Sequence, residues 1–335
     1  GSVFVTAVNA KRFVKGLSPG QPKHCGLTIL DGRHLPREWR GQYLTNDFRG
    51  HRINRFALSE QGSGYGARQL EDLVRTSHAA FRPIGVEMGP DGAIYVADWY
   101  NPIIQHGEVD FRDERRDRKH GRIWRITARG RPTLKWPQIV GAPTNALLDL
   151  LKAPEQLTRH HAKQELRSRP IRKVRQAVKD WLAGLDTAHA DYEHWRLEAV
   201  WLLQGMNVLD QDLLHAVLKS PDHHARAAAV RVLYHCHDRV SYSHALLELA
   251  IADPHAQVRL EAVNALRMVG TQEAFLLAMK ALDQPMDEFL DFALWSICRE
   301  HSDSWVEKAA DGNPFENLDQ LLFAVRALNE PVATS

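Results

Sequence analysis

The sequence predicts a multidomain β-then-α chain: a partial β-propeller of about two to three blades, followed by an α-α HEAT/armadillo-like solenoid. Three observations predict it. Glycine falls away, since 17 of the 21 glycines lie at or before Gly141. Charge changes sign at the same place: residues 1–135 hold 23 Lys plus Arg against 14 Asp plus Glu, and the remainder holds 20 against 27. Each half also repeats on itself with its own period. The breakers Pro132, Pro137, Gly141 and Pro143 mark the division. The expected domains are 1–131 for the propeller part, 132–145 for a linker and 146–330 for the helical repeats.

In the first half, Gly41-Gln42-Tyr43-Leu44-Thr45-Asn46-Asp47 aligns with Gly92-Ala93-Ile94-Tyr95-Val96-Ala97-Asp98 at an offset of 51. Arg52-Ile53-Asn54-Arg55-Phe56 aligns with Arg122-Ile123-Trp124-Arg125-Ile126 at an offset of 70, so the later copy carries about 19 extra residues between Tyr100 and Gly121. Alternating apolar positions bounded by turn residues predict strands over 26–30, 42–48, 52–58 and 69–75 in the first copy. The second copy has strands at 83–88 and 93–98. They flank the tight turn Gly89-Pro90-Asp91-Gly92, where Pro presets φ and Gly permits positive φ. Four short strands make a propeller blade, and residues 3–16 can supply part of a third. So few blades cannot close a ring, and the chain reads as beginning part-way through a propeller; a small non-propeller sheet is the alternative.

The second half reads as helix pairs. Trp195-Arg196-Leu197-Glu198-Ala199-Val200, Ala225-Arg226-Ala227-Ala228-Ala229-Val230 and Val258-Arg259-Leu260-Glu261-Ala262-Val263 recur at offsets of 30 and 33, and Phe289-Leu290-Asp291-Phe292-Ala293-Leu294 follows 31 later. Ser220-Pro221-Asp222 and Ala252-Asp253-Pro254 precede two of these helices, where Asp caps free amides and Pro fits a first turn. Small Ala lets neighbouring helices approach, and each repeat buries its apolar face against the next.

Composition excludes several function classes. No apolar run approaches the roughly 18 residues of a membrane-spanning helix. Cys25, Cys236 and Cys298 stand far apart, which excludes a disulfide scaffold, a Cys-rich zinc ribbon and a haem attachment site in this chain. The first residues lack the basic and apolar regions of a signal peptide. Basic residues are mixed with acidic ones rather than gathered in an aromatic-bearing stripe, which argues against nucleic acid.

The densest polar cluster is the insertion, Asp98-Trp99-Tyr100-Asn101-Pro102-Ile103-Ile104-Gln105-His106 and then Phe111-Arg112-Asp113-Glu114-Arg115-Arg116-Asp117-Arg118-Lys119-His120-Gly121-Arg122-Ile123-Trp124-Arg125-Ile126. This series resembles the PVC-type membrane-bound dehydrogenase family, closely over residues 24–127 and in architecture over the helical repeats. The resemblance implies a glucose/sorbosone-dehydrogenase-like propeller, a HEAT-like array and a cytochrome c domain with a Cys-x-x-Cys-His motif. It implies oxidation of a sugar-like substrate in the periplasm or at a membrane there, with a quinone (PQQ-like) cofactor, Ca2+, and electrons passed to haem. Its early blades and its haem domain are absent from this sequence and are its implied partners, so this chain alone is expected to be inactive.

For such chemistry a base removes a hydroxyl proton as hydride leaves carbon, and cations hold the cofactor carboxylates. His106 and His120 are the candidate bases, and Arg112, Arg116 and Arg122 the candidate cations. The alternative is ion pairing, because Arg112-Asp113 and Arg116-Asp117 recur four apart, the spacing of one helical turn. Asp98, Trp99, Tyr100 and Asn101 are the candidate substrate or cofactor contacts; aromatics there can equally fill space between blades. Asp47 and Asp98 can give oxygen to Ca2+ or anchor turns. Asp113, Asp117 and His120 share one face if helical, imitating a metal triad or forming a salt-bridged turn. His24-Cys25 has no sequence neighbour that would activate the thiol.

Twelve of the 18 histidines lie in the helical half, including His160-His161, His223-His224 and His235-Cys236-His237. Adjacent helical residues point about 100° apart, so such a pair seldom chelates one ion, and solvated or capping roles are the default. His235 with Asp238, or His237 with another repeat, is the metal alternative. The acidic solenoid surface suits a protein partner, and the rival to the dehydrogenase reading is a non-catalytic scaffold of propeller remnant and solenoid.

Overall fold

Period-two alternation produces strands close to the expected positions. The computed structural model describes residues 24–104, 109–312 and 314–329, so the part of a third blade expected from residues 3–16 and the candidate base His106 lie outside the described residues. Strands β1 (His24–Ile29), β2 (Tyr43–Asp47), β3 (Arg52–Gln61) and β4 (Gly64–Gln69) form one sheet in that order, with β5 (Val74–Arg75) also on β3. Strands β6 (Pro83–Met88), β7 (Ile94–Asp98) and β8 (Arg122–Ile126) form a second. The single strand expected over 69–75 is instead the end of β4 and the two-residue β5. Asp72 turns its carboxylate back onto Arg75 Nε (2.9 Å) between them.

The first three strands of the larger sheet and the three strands of the smaller one share order and antiparallel pairing. Asp47 pairs with Arg52 across β2–β3, and Asp98 with Arg122 across β7–β8, at the offsets of 51 and 70. Both first strands slip register near their start, at Cys25/Leu27 and at Pro83/Gly85. Gly26 makes the first slip possible: its φ is +64°, and a Cβ there would lie 3.1 Å from Asn46 Nδ2 and 3.2 Å from Val86 N. Leu30, Leu44 and Ile53 of the first sheet share one buried core with Val86, Ile94 and Val96 of the second. Each such side chain contributes roughly 1.5–3 kcal/mol by leaving water.

Helices α1 (Thr144–Asp149), α2 (Gln156–Arg167) and α3 (Ile171–Ala183) belong to the same compact unit as the sheets, which ends at Gly184. The breaker-rich stretch before α1 has no regular structure, yet it is packed. Buried His34 holds it, with Nδ1 2.9 Å from Pro132 O and Nε2 accepting from Ala128 N (3.0 Å). At the start of α2, Arg33 donates from Nε and Nη2 to the two oxygens of Glu155, each at 2.9 Å, and Asp31 accepts from Gln156 N. Burial raises the Glu155 carboxyl, but Arg33 outweighs it and holds the group below the usual carboxylate range.

The second compact unit comprises the β3–β4 hairpin tip, residues 60–64, and the chain from Leu185 onward. Long helices α4 (Tyr192–Gly205), α6 (His223–Cys236), α8 (Ala256–Val269), α10 (Glu288–Glu300) and α12 (Leu318–Asn329) stack in sequence order. The shorter α5 (Gln211–Leu218), α7 (Ser243–Ile251) and α9 (Gln272–Met279) pack against them, and α11 (Ser302–Asp311) buries Trp305 against Phe275. The four repeated segments fall in α4, α6, α8 and α10, which makes this region a helical-repeat array. Ala229, Val230 and Leu233 of α6 and Ala262, Val263 and Leu266 of α8 are fully buried at the same repeat positions. An arginine five residues after each proline locks the turn: Arg226 Nη1 donates to Ser220 O and Pro221 O, and Arg259 Nη1 to Asp253 O and Pro254 O. No helix among the described residues is long and apolar enough to cross a membrane.

Candidate functional site

The insertion is anchored at its root by three buried polar residues. Asp98 ends β7, and its Oδ1 accepts from Arg82 N (2.7 Å) and Tyr100 N (2.9 Å) while Oδ2 accepts from Trp124 Nε1 (2.9 Å). The Arg82 guanidinium donates to Asn101 O (2.9 Å), Phe48 O (2.8 Å) and Pro102 O (3.0 Å). Burial lowers its pKa, opposed by Asp98. Asn101 completes the knot, accepting from Ile103 N and donating to Asp117 O (3.3 Å). Trp99 is half-buried, with its backbone N–H on Arg82 O.

The segment 109–121 is built from turns rather than a helix, so the four-apart ion pairs and the one-face triad do not form there. Short-range partners take over. Arg115 grips Asp113 through Nε and Nη2 (2.9 and 2.8 Å), which pushes that half-buried carboxyl down to about 2. His120 Nδ1 lies 2.8 Å from Asp117 Oδ2. Arg116 donates to Val109 O (2.8 Å) and Asp110 O (3.0 Å), and Arg112 is exposed at the turn. Asp-based turns of this kind satisfy backbone amides locally.

One part of the insertion faces a cavity. A cleft of about 310 Å3 is lined by Ile53, Phe81, Val96 and Trp124, with His78 and Arg122 among its walls. Tyr100, held at φ +52°, stacks at 5.8 Å on His78. The Arg122 guanidinium sits 3.6 Å over the Tyr100 ring, and His120 meets the ring edge-on at 6.3 Å. Of the predicted cations among the described residues, Arg122 lines this cleft and Arg112 and Arg116 do not.

The residues predicted for calcium do not fit that ion. Asp47 accepts from Gly50 N (2.8 Å) and Arg52 Nε (3.0 Å), so both Asp47 and Asp98 point their oxygens at N–H donors. Calcium needs six to eight oxygen ligands, and it would have to displace these buried bonds. Burial, then the Asp47 charge, pushes the Cys25 thiol up, and its Sγ donates to Pro83 O (3.4 Å); it is not an activated nucleophile.

The helical array offers two further features. A groove of about 500 Å3 runs across α6, α8 and α10, where Arg231 pairs with Glu261 and Arg267 with Glu300 at the repeat spacing, beside Tyr234 and Asn264. Among the described residues, three or more metal-ligating side chains converge where α6 and α8 begin, and not at His160-His161 or His235-Cys236-His237. That convergence includes Glu60 and His255, which sequence reasoning missed. His255 stands 33 residues after the cap Asp222, a repeat-register signal that was available; Glu60 carries no local signal.

A model of a domain of unknown function, DUF7133, matches residues 7–130, the sheet-bearing part of the chain. No curated protein matches. Among solved structures the chain is similar to the designed armadillo repeat protein YIII(Dq.V1)4CPAF in complex with peptide (KR)4. The identity is 15% and the TM-score 0.30, over 56% of this chain and 99% of that one, a likeness too loose to bear on fold or partner.

Proposed function

We propose that this chain is a non-catalytic scaffold, in which propeller-type blades carry HEAT-like repeats whose long-helix face binds an extended protein segment. The groove across α6, α8 and α10 carries the reading: it presents paired opposite charges at repeat spacing, with Tyr234 and Asn264 between them to hold a backbone. The blade assignment is supported by the three-strand order common to both sheets and by the matching Asp47–Arg52 and Asp98–Arg122 pairings. The test is a screen of the full chain against an array of extended peptides of mixed charge. Binding that falls at least about tenfold in Tyr234→Ala/Asn264→Ala, with an unchanged melting temperature, supports the scaffold; no peptide bound, or binding indifferent to both substitutions, removes it.

A second reading is favoured by the cleft beside Tyr100, His120 and Arg122. In it the chain is a portion of an extracytoplasmic, dehydrogenase-like propeller protein that oxidises a sugar-like substrate, with electrons leaving to a haem domain. Binding of an aldose or a PQQ-type quinone to the purified chain, read as quenching of tryptophan fluorescence at the cleft that holds Trp124 and lost in Arg122→Ala, would support this reading against the scaffold.

A further inference from the structure

The β3–β4 tip is fastened to the starts of the long helices. Ser63 donates from its backbone N–H and its Oγ to Asp287 (2.5 and 2.7 Å), which also caps α10 through Phe289 N and Leu290 N. Gly62 turns the tip at φ +57°, and Gly64 lies on the Phe289 ring, where a Cβ would stand 2.4 Å from Cε2. These contacts deliver Glu60 to the corner where α6 and α8 begin.

There Glu60 Oε2 stands 3.3 Å from His223 Nε2 and 3.9 Å from His255 Nε2. A ligand atom from each of the three lies within 4.8 Å of the others. A tetrahedral zinc site with bonds of about 2.0–2.1 Å separates neighbouring ligand atoms by roughly 3.3 Å, so the trio is near the size such an ion requires. The second carboxylate oxygen is oriented from behind: His224 Nε2 meets Glu60 Oε1 at 2.5 Å, and His224 Nδ1 meets Asp222 Oδ1 at 3.0 Å. A carboxylate–imidazole relay of this kind orients metal ligands in zinc proteins.

Two objections are answered by the same residues. Helix N-termini repel cations, each with about half a positive charge, but Glu60 and Asp222 bring two carboxylates to the corner, while Asp253 is paired with Arg226. His255 Nδ1 accepts a long cap from Gln257 N (3.3 Å), and ligation through Nε2 exchanges that weak bond for a metal–nitrogen bond. The rings of His223 and His255 stack 3.5 Å apart, which brings the two imidazoles to the same side of the corner.

We propose that Glu60, His223 and His255 form a divalent zinc-class metal site, oriented by His224 and Asp222, with a fourth position for water. Bound metal ties the β3–β4 tip to the helical repeats. It is independent of both functional readings above.

The test uses the full chain with Zn2+ alone, titrated against a chromophoric chelator, and Co2+ as a spectroscopic probe. We expect one Zn2+ per chain, visible Co2+ bands of tetrahedral intensity, and a Zn2+-induced rise in melting temperature. Glu60→Gln and His255→Asn should each weaken binding by at least about tenfold and abolish the rise. Asn keeps a good N-cap at 255, so loss of metal in that variant is not loss of the helix. Equal Zn2+ binding by wild type and both variants, or Co2+ spectra of octahedral intensity only, overturns the proposal.

Discussion

The insertion after β7 and the corner where α6 meets α8 are both rich in ionisable groups, and they handle them oppositely. In the insertion, Asp113 bonds Arg115 and Asp117 bonds His120, two and three residues away, while Asp98 and Asn101 reach 16 residues to Arg82 and Asp117 and at most 26, to Trp124. At the corner, Glu60 meets His223 and His224 across 163 and 164 residues. Polar density close in sequence is consumed by turns and caps. Side chains drawn from distant segments leave ligand atoms aimed at one point, and that is what a binding site needs.

The largest expected effect breaks the insertion's anchor. Asp98→Ala removes the acceptor for Arg82 N, Tyr100 N and Trp124 Nε1 in a buried position and should cost about 3–5 kcal/mol in guanidinium unfolding followed by tryptophan fluorescence. A loss below about 1 kcal/mol would show that the root is not a lock. Its counterpart Asp47→Ala loses Gly50 N and the partly exposed Arg52, and should cost about 1–3 kcal/mol by the same measurement.

Next comes the α2 start. Glu155→Gln should cost about 1–2 kcal/mol at pH 7, discounted because Arg33 is 61% exposed. The folded carboxyl lies below its unfolded value, so its contribution is complete above the unfolded pKa of about 4.3 and disappears as pH falls through the folded pKa. Unfolding midpoints from pH 7 to pH 3 should therefore converge between wild type and variant. Burial holds Asp31 above the usual range, so it runs the other way, and the convergence should sharpen in an Asp31→Asn background.

The smallest effects complete the comparison. Without added metal, Glu60→Ala should change stability by less than about 1 kcal/mol, since the carboxylate is largely exposed. A larger metal-free loss would make the corner a structural salt bridge. His120→Ala should leave the melting temperature unchanged by calorimetry, and a clear drop would show that the insertion relies on its outer turns.

Strands β1, β2, β3, β6 and β7 were legible from alternation and turn residues, β8 only through its alignment with β3, and the repeats of α4, α6, α8 and α10 from their offsets. These features rest on periodicities of two and 3.6 residues, which chain sterics impose locally. The turn-built insertion was less legible, because its alternating Arg and Asp suit a helix and its Asp-capped turns won instead. What only the tertiary structure decided is where distant segments meet: Arg33 on Glu155 puts α1–α3 with the sheets, and Ser63 on Asp287 carries Glu60 to His223 and His255. Those contacts depend on how whole elements pack, and no local spacing in the chain encodes them.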